Sequence, residues 1–324
     1  MSMDVIAVDI GGTHARFAIA EVAEGKVVSL GEATTLKTAE YASLQTAWEA
    51  FGATLDRPAP RAAAIAVASP IGSEIIKLTN NPWIIRPALV KERLAVDDYV
   101  LINDFGAIGH AVAQLPHDDF LHLHGPDEPF PTHGVLTICG PGTGLGVAQV
   151  LRAGHGYNVL ETEGGHIDFA PLDTIEDAML IRMRKTYNRV SAERIVAGPG
   201  IVAIYETLAE IEGRAVQRLG DKAIWTEALA GEDSLALAAL DRFCLCLGAV
   251  AGDLALAHGA KGVVIAGGLG LRLKDHLARS GFGERFTAKG RFQLLMAALP
   301  VKLITHPQPG LFGAAAAFAQ EHAR

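Results

Sequence analysis

Cysteine is scarce in this chain: three in 324 residues. An odd and sparse count excludes a disulfide framework and points to a reducing, cytoplasmic setting. Aromatic residues make up only 6%. Basic residues do not dominate either, since the formal net charge is −8. That balance speaks against nucleic acid as a partner, because such binding needs clustered cations to displace counterions. No apolar run is long enough to span a bilayer: the most apolar stretch, 243–252, is closed by Asp241-Arg242 and Asp253. The first apolar run carries no basic segment and is bracketed by Asp4 and Asp9, so no signal peptide is expected. No membrane partner is expected.

Apolar residues, by contrast, form half of the chain, with alanine and 35 glycines prominent among the small ones. Such a mix suits close helix–sheet packing, and the length allows two domains with separate cores. Val5-Ile6-Ala7-Val8-Asp9-Ile10 is an apolar strand that drops into Gly11-Gly12-Thr13 and resumes as a second strand from His14. Paired glycines between strands make a tight hairpin, whose backbone N–H groups can approach a phosphate. Thr13 adds a hydroxyl donor, and Asp9 stands where a carboxylate could hold a hydrated Mg²⁺. One such turn is only a turn. A second copy exists, however: 135–139 runs as a strand into Gly140-Pro141-Gly142-Thr143-Gly144-Leu145-Gly146, and a further strand follows.

After the first hairpin the pattern predicts a strand at 26–33, a helix at 41–55, a strand at 61–68 and a short helix at 87–94. A strand at 99–102 then delivers Asn103-Asp104 at its C-terminal end, and a helix follows over 105–115. Ligands of such sheets sit off the carboxyl ends of the strands. Residues 116–134, with four prolines and four histidines, read as a surface loop and the seam between domains. His117, His122, His124 and His133 have no metal-ligand spacing and are expected to be solvated there. Beyond the second hairpin come a strand at 155–160, then Glu161-Thr162-Glu163-Gly164-Gly165-His166, and a helical region over 174–258. Within it, Ser191-Ala192-Glu193-Arg194 has the pattern of a helix N-cap. A buried strand at 262–266 enters Gly267-Gly268, a last strand covers 301–304, and an alanine-rich helix closes the chain. Cys139, Cys244 and Cys246 are expected as buried, packing thiols.

Two α/β halves, each with a glycine hairpin, resemble the duplicated actin, Hsp70 and hexokinase class of ATPases. Within that class the chain resembles the bacterial ATP-dependent glucokinases. The resemblance rests on 9–16, Thr79-Asn80, Ile102-Asn103-Asp104-Phe105, 140–146, 163–171, 190–194, Ala197-Gly198-Pro199-Gly200 and Ile265-Ala266-Gly267-Gly268, in this order. It implies an α/β fold of two related domains of the actin-like ATPase (ribonuclease H-like) type with a cleft between them. The expected division is 1–114 plus 307–324 against 115–306. It also implies transfer of the γ-phosphoryl of ATP to the 6-hydroxyl of glucose, the first step of glucose catabolism. The alternatives are a kinase for mannose or fructose, or a sugar-sensing protein without catalysis. Assembly as a homodimer is expected.

Carried over residue by residue, the resemblance makes Asn103, Asp104, Glu163, His166 and Glu193 the glucose ligands. Vicinal hydroxyls suit carboxylate acceptors, so these residue types fit a sugar. Each residue alone has a plainer reading, a surface acid or a packed histidine. Asp104 is the expected catalytic base. Gly11, Gly12, Thr13, Gly142, Thr143 and Gly144 are the expected phosphate cradles, Gly267 and Gly268 line the adenosine, and Asp9 holds Mg²⁺ through water. Arg16 has two readings, a phosphate contact or an ordinary sheet arginine. His14 stands where the family usually has Asn, and Cys244-Leu245-Cys246 lacks the second half of the zinc motif found in the neighbouring ROK sugar kinases, so no zinc is expected.

Overall fold

The computed structural model describes residues 2–78, 81–154 and 156–322. The chain forms two compact units: Met1–Pro116 with Val159–Glu161 and His306–Arg324, and His117–Asn158 with Thr162–Thr305. The contacts thus part at 116/117 and 305/306, and a three-residue piece, Val159–Glu161, belongs with the first unit. Nothing in the local pattern of the sequence marks that piece.

The first unit opens with strands β1 (Met3–Ile10), β2 (His14–Ala23), β3 (Lys26–Leu30) and β4 (Thr34–Lys37). Helix α1 (Leu44–Gly52), strand β5 (Ala62–Val67), a small pair β6 (Ile76–Lys77) and β7 (Ile84–Ile85), helix α2 (Val90–Leu94), strand β8 (Asp98–Asn103) and helix α3 (Asp104–Gln114) follow. The sheet order is β3-β2-β1-β5-β8, with β4 also on β2. Strands β1, β5 and β8 run parallel. Both faces of β1 and β5 are covered, which is why their sequences read as unbroken apolar runs. Alternate residues divide between two cores: Ile6, Val8 and Ile10 pack with Trp48 and Phe51, while Val5 and Ala7 face the other way.

Two expectations here need correction. The strand read over 26–33 ends at Leu30, where Gly31 turns the chain: its N–H bonds the Ile19 carbonyl, and the separate strand β4 beyond it pairs with a different part of β2. The helix read over 41–55 is shorter, since the Ser43 and Thr46 capping box starts it at Leu44.

The second unit begins with β9 (Phe120–His124), β10 (His133–Pro141), β11 (Leu145–Ala153) and β12 (Gly156–Thr162). Helices α4 (Thr174–Arg184), α5 (Ala192–Val196), α6 (Gly200–Ile211), α7 (Asp221–Ala230) and α8 (Ser234–His258) come next. Strand β13 (Ala260–Ile265), helices α9 (Gly267–Arg272), α10 (Lys274–Leu277), α11 (Phe282–Thr287) and α12 (Gln293–Ala297), and strand β14 (Val301–Ile304) complete it. Its sheet order is β12-β11-β10-β13-β14-β9. Apart from the added edge β9, this repeats the order of the first unit: three sequential strands, then two parallel ones. The repeat is the actin-like ATPase fold.

Strand β9 overturns the reading of 116–134 as loop throughout. It pairs antiparallel with β14 at the sheet edge, and the interleaved histidines hid its strand pattern. His122 is not solvated either, since its ring nitrogen bonds the Gly125 carbonyl at 2.7 Å. Helix α8 carries the Asp241, Arg242 and Asp253 that bound the apolar run within one helix. It is apolar and long enough to cross a membrane, but 72% of its most apolar window is buried inside the protein. All three cysteines are buried and free, and burial pushes the Cys139 and Cys244 thiols up to about 12.

The closing helix α13 (Pro309–Glu321) returns to the first unit and packs on α3. Gly313 makes this approach possible, because a Cβ there would lie 1.8 Å from the Ala107 carbonyl oxygen. Small residues let helix and sheet come close, which accounts for the alanine and glycine content.

Candidate active site

In the first unit the glycine hairpin between β1 and β2 closes through Gly11 N–H to the His14 carbonyl at 2.9 Å. Its carbonyl oxygens are turned into the protein. Asn81 Nδ2 donates to the Gly11 oxygen, Thr38 Oγ1 to that of Gly12, and the Thr38 N–H to that of Thr13. The N–H groups of Gly12 and Thr13 make no hydrogen bond among the described residues. The hairpin's acceptors are satisfied and two of its donors make no bond among the described residues, the polarity that an anion requires. The Thr13 hydroxyl and the His14 ring share a bond of 2.9 Å. Thr79-Asn80, part of the resemblance, lies outside the described residues.

Asp9 ends β1. Arg16 Nη1 donates to its Oδ2 at 3.1 Å, so Arg16 is a sheet arginine paired with a carboxylate. Burial raises the Asp9 carboxyl above its usual range, against the opposing charge of Arg16. Gly310 leaves room for it, as a Cβ there would lie 2.8 Å from Asp9 Oδ2. With Oδ2 engaged by Arg16, Oδ1 is left to accept from water. The donor set fits Mg²⁺ held through its water shell, which this cation sheds reluctantly.

Asn103 and Asp104 stand where β8 becomes α3. Asn103 is the N-cap: its Oδ1 accepts the N–H groups of Phe105 and Gly106, and its Nδ2 donates to the Ser69 carbonyl. Asp104 Oδ1 accepts the Phe105 N–H at 2.9 Å. Burial pushes the Asp104 carboxyl up to about 6, and the charges of Asp9 and Glu161 act in the same direction. Glu161 was not among the expected site residues. Its Oε1 accepts the Asn103 N–H at 3.1 Å, and it belongs with the first unit. Two residues from Glu163 in sequence, it gave no signal of its own.

In the second unit the hairpin between β10 and β11 closes through Gly142 N–H to the Gly144 carbonyl at 2.8 Å. The Gly198 N–H in turn bonds the Gly142 carbonyl, tying the start of α6 to the hairpin. Glu193 Oε2 accepts the Leu145 N–H at 3.0 Å, and a Cβ on Gly144 would collide with that oxygen at 2.6 Å. Ser191 occupies the N-cap of α5 but its side chain makes no capping bond. The expected cap is therefore one of position only, and the backbone of Ser191 instead bridges to Asp168.

Glu163-Gly164-Gly165-His166 folds as a short 3₁₀ turn on top of β11. Gly165 is required there, because a Cβ would lie 2.1 Å from the Leu145 carbonyl oxygen. The side chains of Glu163 and His166 approach to 3.9 Å and are both exposed. Gly267 has φ of +81° and sits on the Pro141 carbonyl, while the face of Gly268 is open. Glycine is needed at that positive φ. Thr143 and Glu193 line a groove with Tyr187, Arg194 and Pro199, where the Arg194 guanidinium lies over the Tyr187 ring. Of the expected residues, Asp9, Gly11, Gly12, Thr13, Asn103 and Asp104 lie in the first unit, and Gly142, Thr143, Gly144, Glu163, His166, Glu193, Gly267 and Gly268 in the second.

The sequence model of the glucokinase family matches residues 6–321. The chain belongs to the glucokinase family. A glucokinase of Zymomonas mobilis is 62% identical over 320 residues, 99% of either chain. Among solved structures, a glucokinase from an Antarctic psychrotroph superimposes with a TM-score of 0.85 at 34% identity, covering 97% of this chain and 98% of its own. A ROK family glucokinase from Streptomyces griseus, solved with glucose and AMPPNP, has a TM-score of 0.57 at 19% identity, covering 98% of this chain and 99% of its own. That last likeness concerns the fold alone.

Proposed function

We infer that the chain is an ATP-dependent glucokinase, transferring the γ-phosphoryl group to the 6-hydroxyl of glucose. The observation that carries this reading is Asp104: a carboxyl at the start of α3, held near a pKa of about 6. A base poised there is ionised at neutral pH yet still accepts a proton readily. Phosphoryl transfer otherwise asks for positioning and charge stabilisation.

In this reading Asp104 Oδ2 accepts the proton of the attacking hydroxyl, while Phe105 N–H holds Oδ1 in place. Asn103, already fixed by its capping bonds, presents its remaining amide hydrogen to the sugar. Glu163, His166 and Glu193 hold further hydroxyls, Glu193 with the oxygen that Leu145 does not occupy. The N–H groups of Gly12 and Thr13 take phosphate oxygens, as do those of Thr143 and Gly144, while the Gly142 N–H closes its own hairpin. Gly267 and Gly268 line the adenosine side. ATP supplies the phosphoryl group. Mg²⁺ held through its water shell by Asp9 Oδ1 would supply charge neutralisation of the phosphates.

A coupled assay of ADP formation across glucose, mannose, fructose and galactose tests the reading. Glucose should give the highest kcat/KM. A higher value for mannose or fructose would reassign the substrate, and no turnover of any hexose would leave a binding protein.

A further inference from the structure

We propose that Glu161 is a positioning residue for the base: its carboxylate fixes the turn from β8 into α3 and thereby aims Asp104. The proposal rests on the reading of Asp104 as the base. Two independent observations carry it. Glu161 Oε1 accepts the backbone N–H of Asn103, the residue immediately before Asp104, at 3.1 Å. Gly106, in the first turn of α3, is a glycine at a point where any side chain would strike that carboxylate, since a Cβ would lie 2.2 Å from Glu161 Oε1 and 3.0 Å from Cδ.

The first turn of a helix leaves four backbone donors without partners. Here the Asn103 side chain takes two of them, those of Phe105 and Gly106, and Asp104 shares the first. Glu161 takes the donor that remains just outside the helix, so the backbone around Asp104 is held from both sides. The charged groups that bear on Asp104 are Asp9 from β1 and Glu161 from β12, with Arg16 of β2 paired to Asp9. Glu161 adds negative charge beside a base that must hold a proton during transfer, which favours proton uptake. Its own carboxyl is raised by burial and lowered by the Asn103 bond. Serving Asp104 in both ways, it needs no contact with the reacting atoms.

Four variants test this: Asp104→Asn, Glu161→Ala, Glu161→Gln and Gly106→Ala. Misplacing a catalytic group by about 1 Å can lower rates by roughly 10²-fold. Glu161→Ala is expected to lower kcat about 10- to 100-fold, more than it raises KM for glucose. Glu161→Gln keeps an acceptor for Asn103 and should recover most of that loss, with the acid limb of the pH–rate profile moved to lower pH. Gly106→Ala displaces the carboxylate without removing it. It should lower kcat like Glu161→Ala while leaving Tm unchanged or higher, because alanine favours the helix over glycine by about 0.5–1 kcal/mol. A purely structural Glu161 would give the reverse, a lower Tm and normal kcat well below it. If Asp104→Asn is inactive while folded Glu161→Ala and Gly106→Ala keep kcat within about twofold, a change of only about 0.4 kcal/mol in the barrier, the inference is overturned and the base assignment stands. If Asp104→Asn retains kcat, the base assignment itself fails and takes the inference with it.

Discussion

Glu193 Oε2 accepts the N–H of Leu145 at 3.0 Å, so a carboxylate in the first turn of α5 holds the second glycine hairpin. Its removal therefore has two effects that separate by substitution. Glu193→Ala strands the Leu145 donor, an effect of about 1–3 kcal/mol that a thermal melt detects. Glu193→Gln keeps an acceptor for Leu145 and should leave Tm near wild type, yet lower kcat/KM for glucose. It should also narrow the gap between glucose and the deoxyglucose that lacks the matching hydroxyl, since a neutral amide is less costly to leave unpaired than a carboxylate. If both variants melt normally and no deoxy sugar shows a narrowed gap, Glu193 serves neither hairpin nor sugar.

Asp104 gives a pH profile with a definite sign. Its carboxyl titrates near 6 in the folded protein, so kcat/KM should fall as pH drops through that value and the base becomes protonated. Asp104→Ala should lower kcat by about 10²- to 10⁴-fold. The same shift bears on stability. A carboxyl whose folded pKa is raised favours the folded state in acid, and that contribution is lost as pH rises through about 6. Ligand-free Asp104→Asn should thus melt higher than wild type at pH 8, with the difference shrinking toward pH 4. A wild type whose rate is flat from pH 5 to 8 would remove Asp104 from the role.

Asp9 should set the Mg²⁺ requirement. Asp9→Asn keeps the size of the group but not its charge, and it leaves Arg16 without its carboxylate partner. Half-maximal activity is expected at higher Mg²⁺ than in wild type. Gly310→Ala, whose Cβ would press on Asp9 Oδ2 from 2.8 Å, should shift the requirement the same way. An unchanged Mg²⁺ curve in both variants would mean that Asp9 does not hold the metal's water shell.

A buried charge cluster should govern the stability of the second unit. Glu176 on α4 is fully buried and meets Arg242 of α8 at 3.2 Å and Arg285 of α11 at 2.7 Å. Asp173 joins both arginines. Glu176→Ala leaves two buried guanidiniums with one carboxylate, and breaking such a cluster costs about 3–5 kcal/mol. A large drop in Tm is expected, with little change in KM for glucose well below it. A melt within a degree of wild type would show that the cluster contributes nothing net.

Core spacing on α13 is open to the same kind of measurement. Gly313→Ala would drive a methyl to 1.8 Å from the Ala107 carbonyl, backbone that cannot swing aside. Overpacking of this sort costs about 1–3 kcal/mol. Chemical denaturation should show it as an earlier midpoint.

The sequence by itself determined what is local. Apolar runs such as 5–8 and 62–67 read as buried strands, and glycines at 11, 12, 142 and 144 between strands announce the two hairpins. The repeat of those hairpins, with the order of the motifs, was enough to reach the fold and the glucokinase family. Tertiary structure decided whatever depends on approach through space. Strand β9 exists because β14, from far along the chain, offers it an edge. Arg16 is tied to Asp9 by strand register. Glu161 reaches Asn103 across 58 positions of sequence. Asp104 owes its raised pKa to burial and to Asp9. Charge and desolvation act over distances that the chain spans only when folded, so the identity of the base was legible in the sequence and its tuning was not.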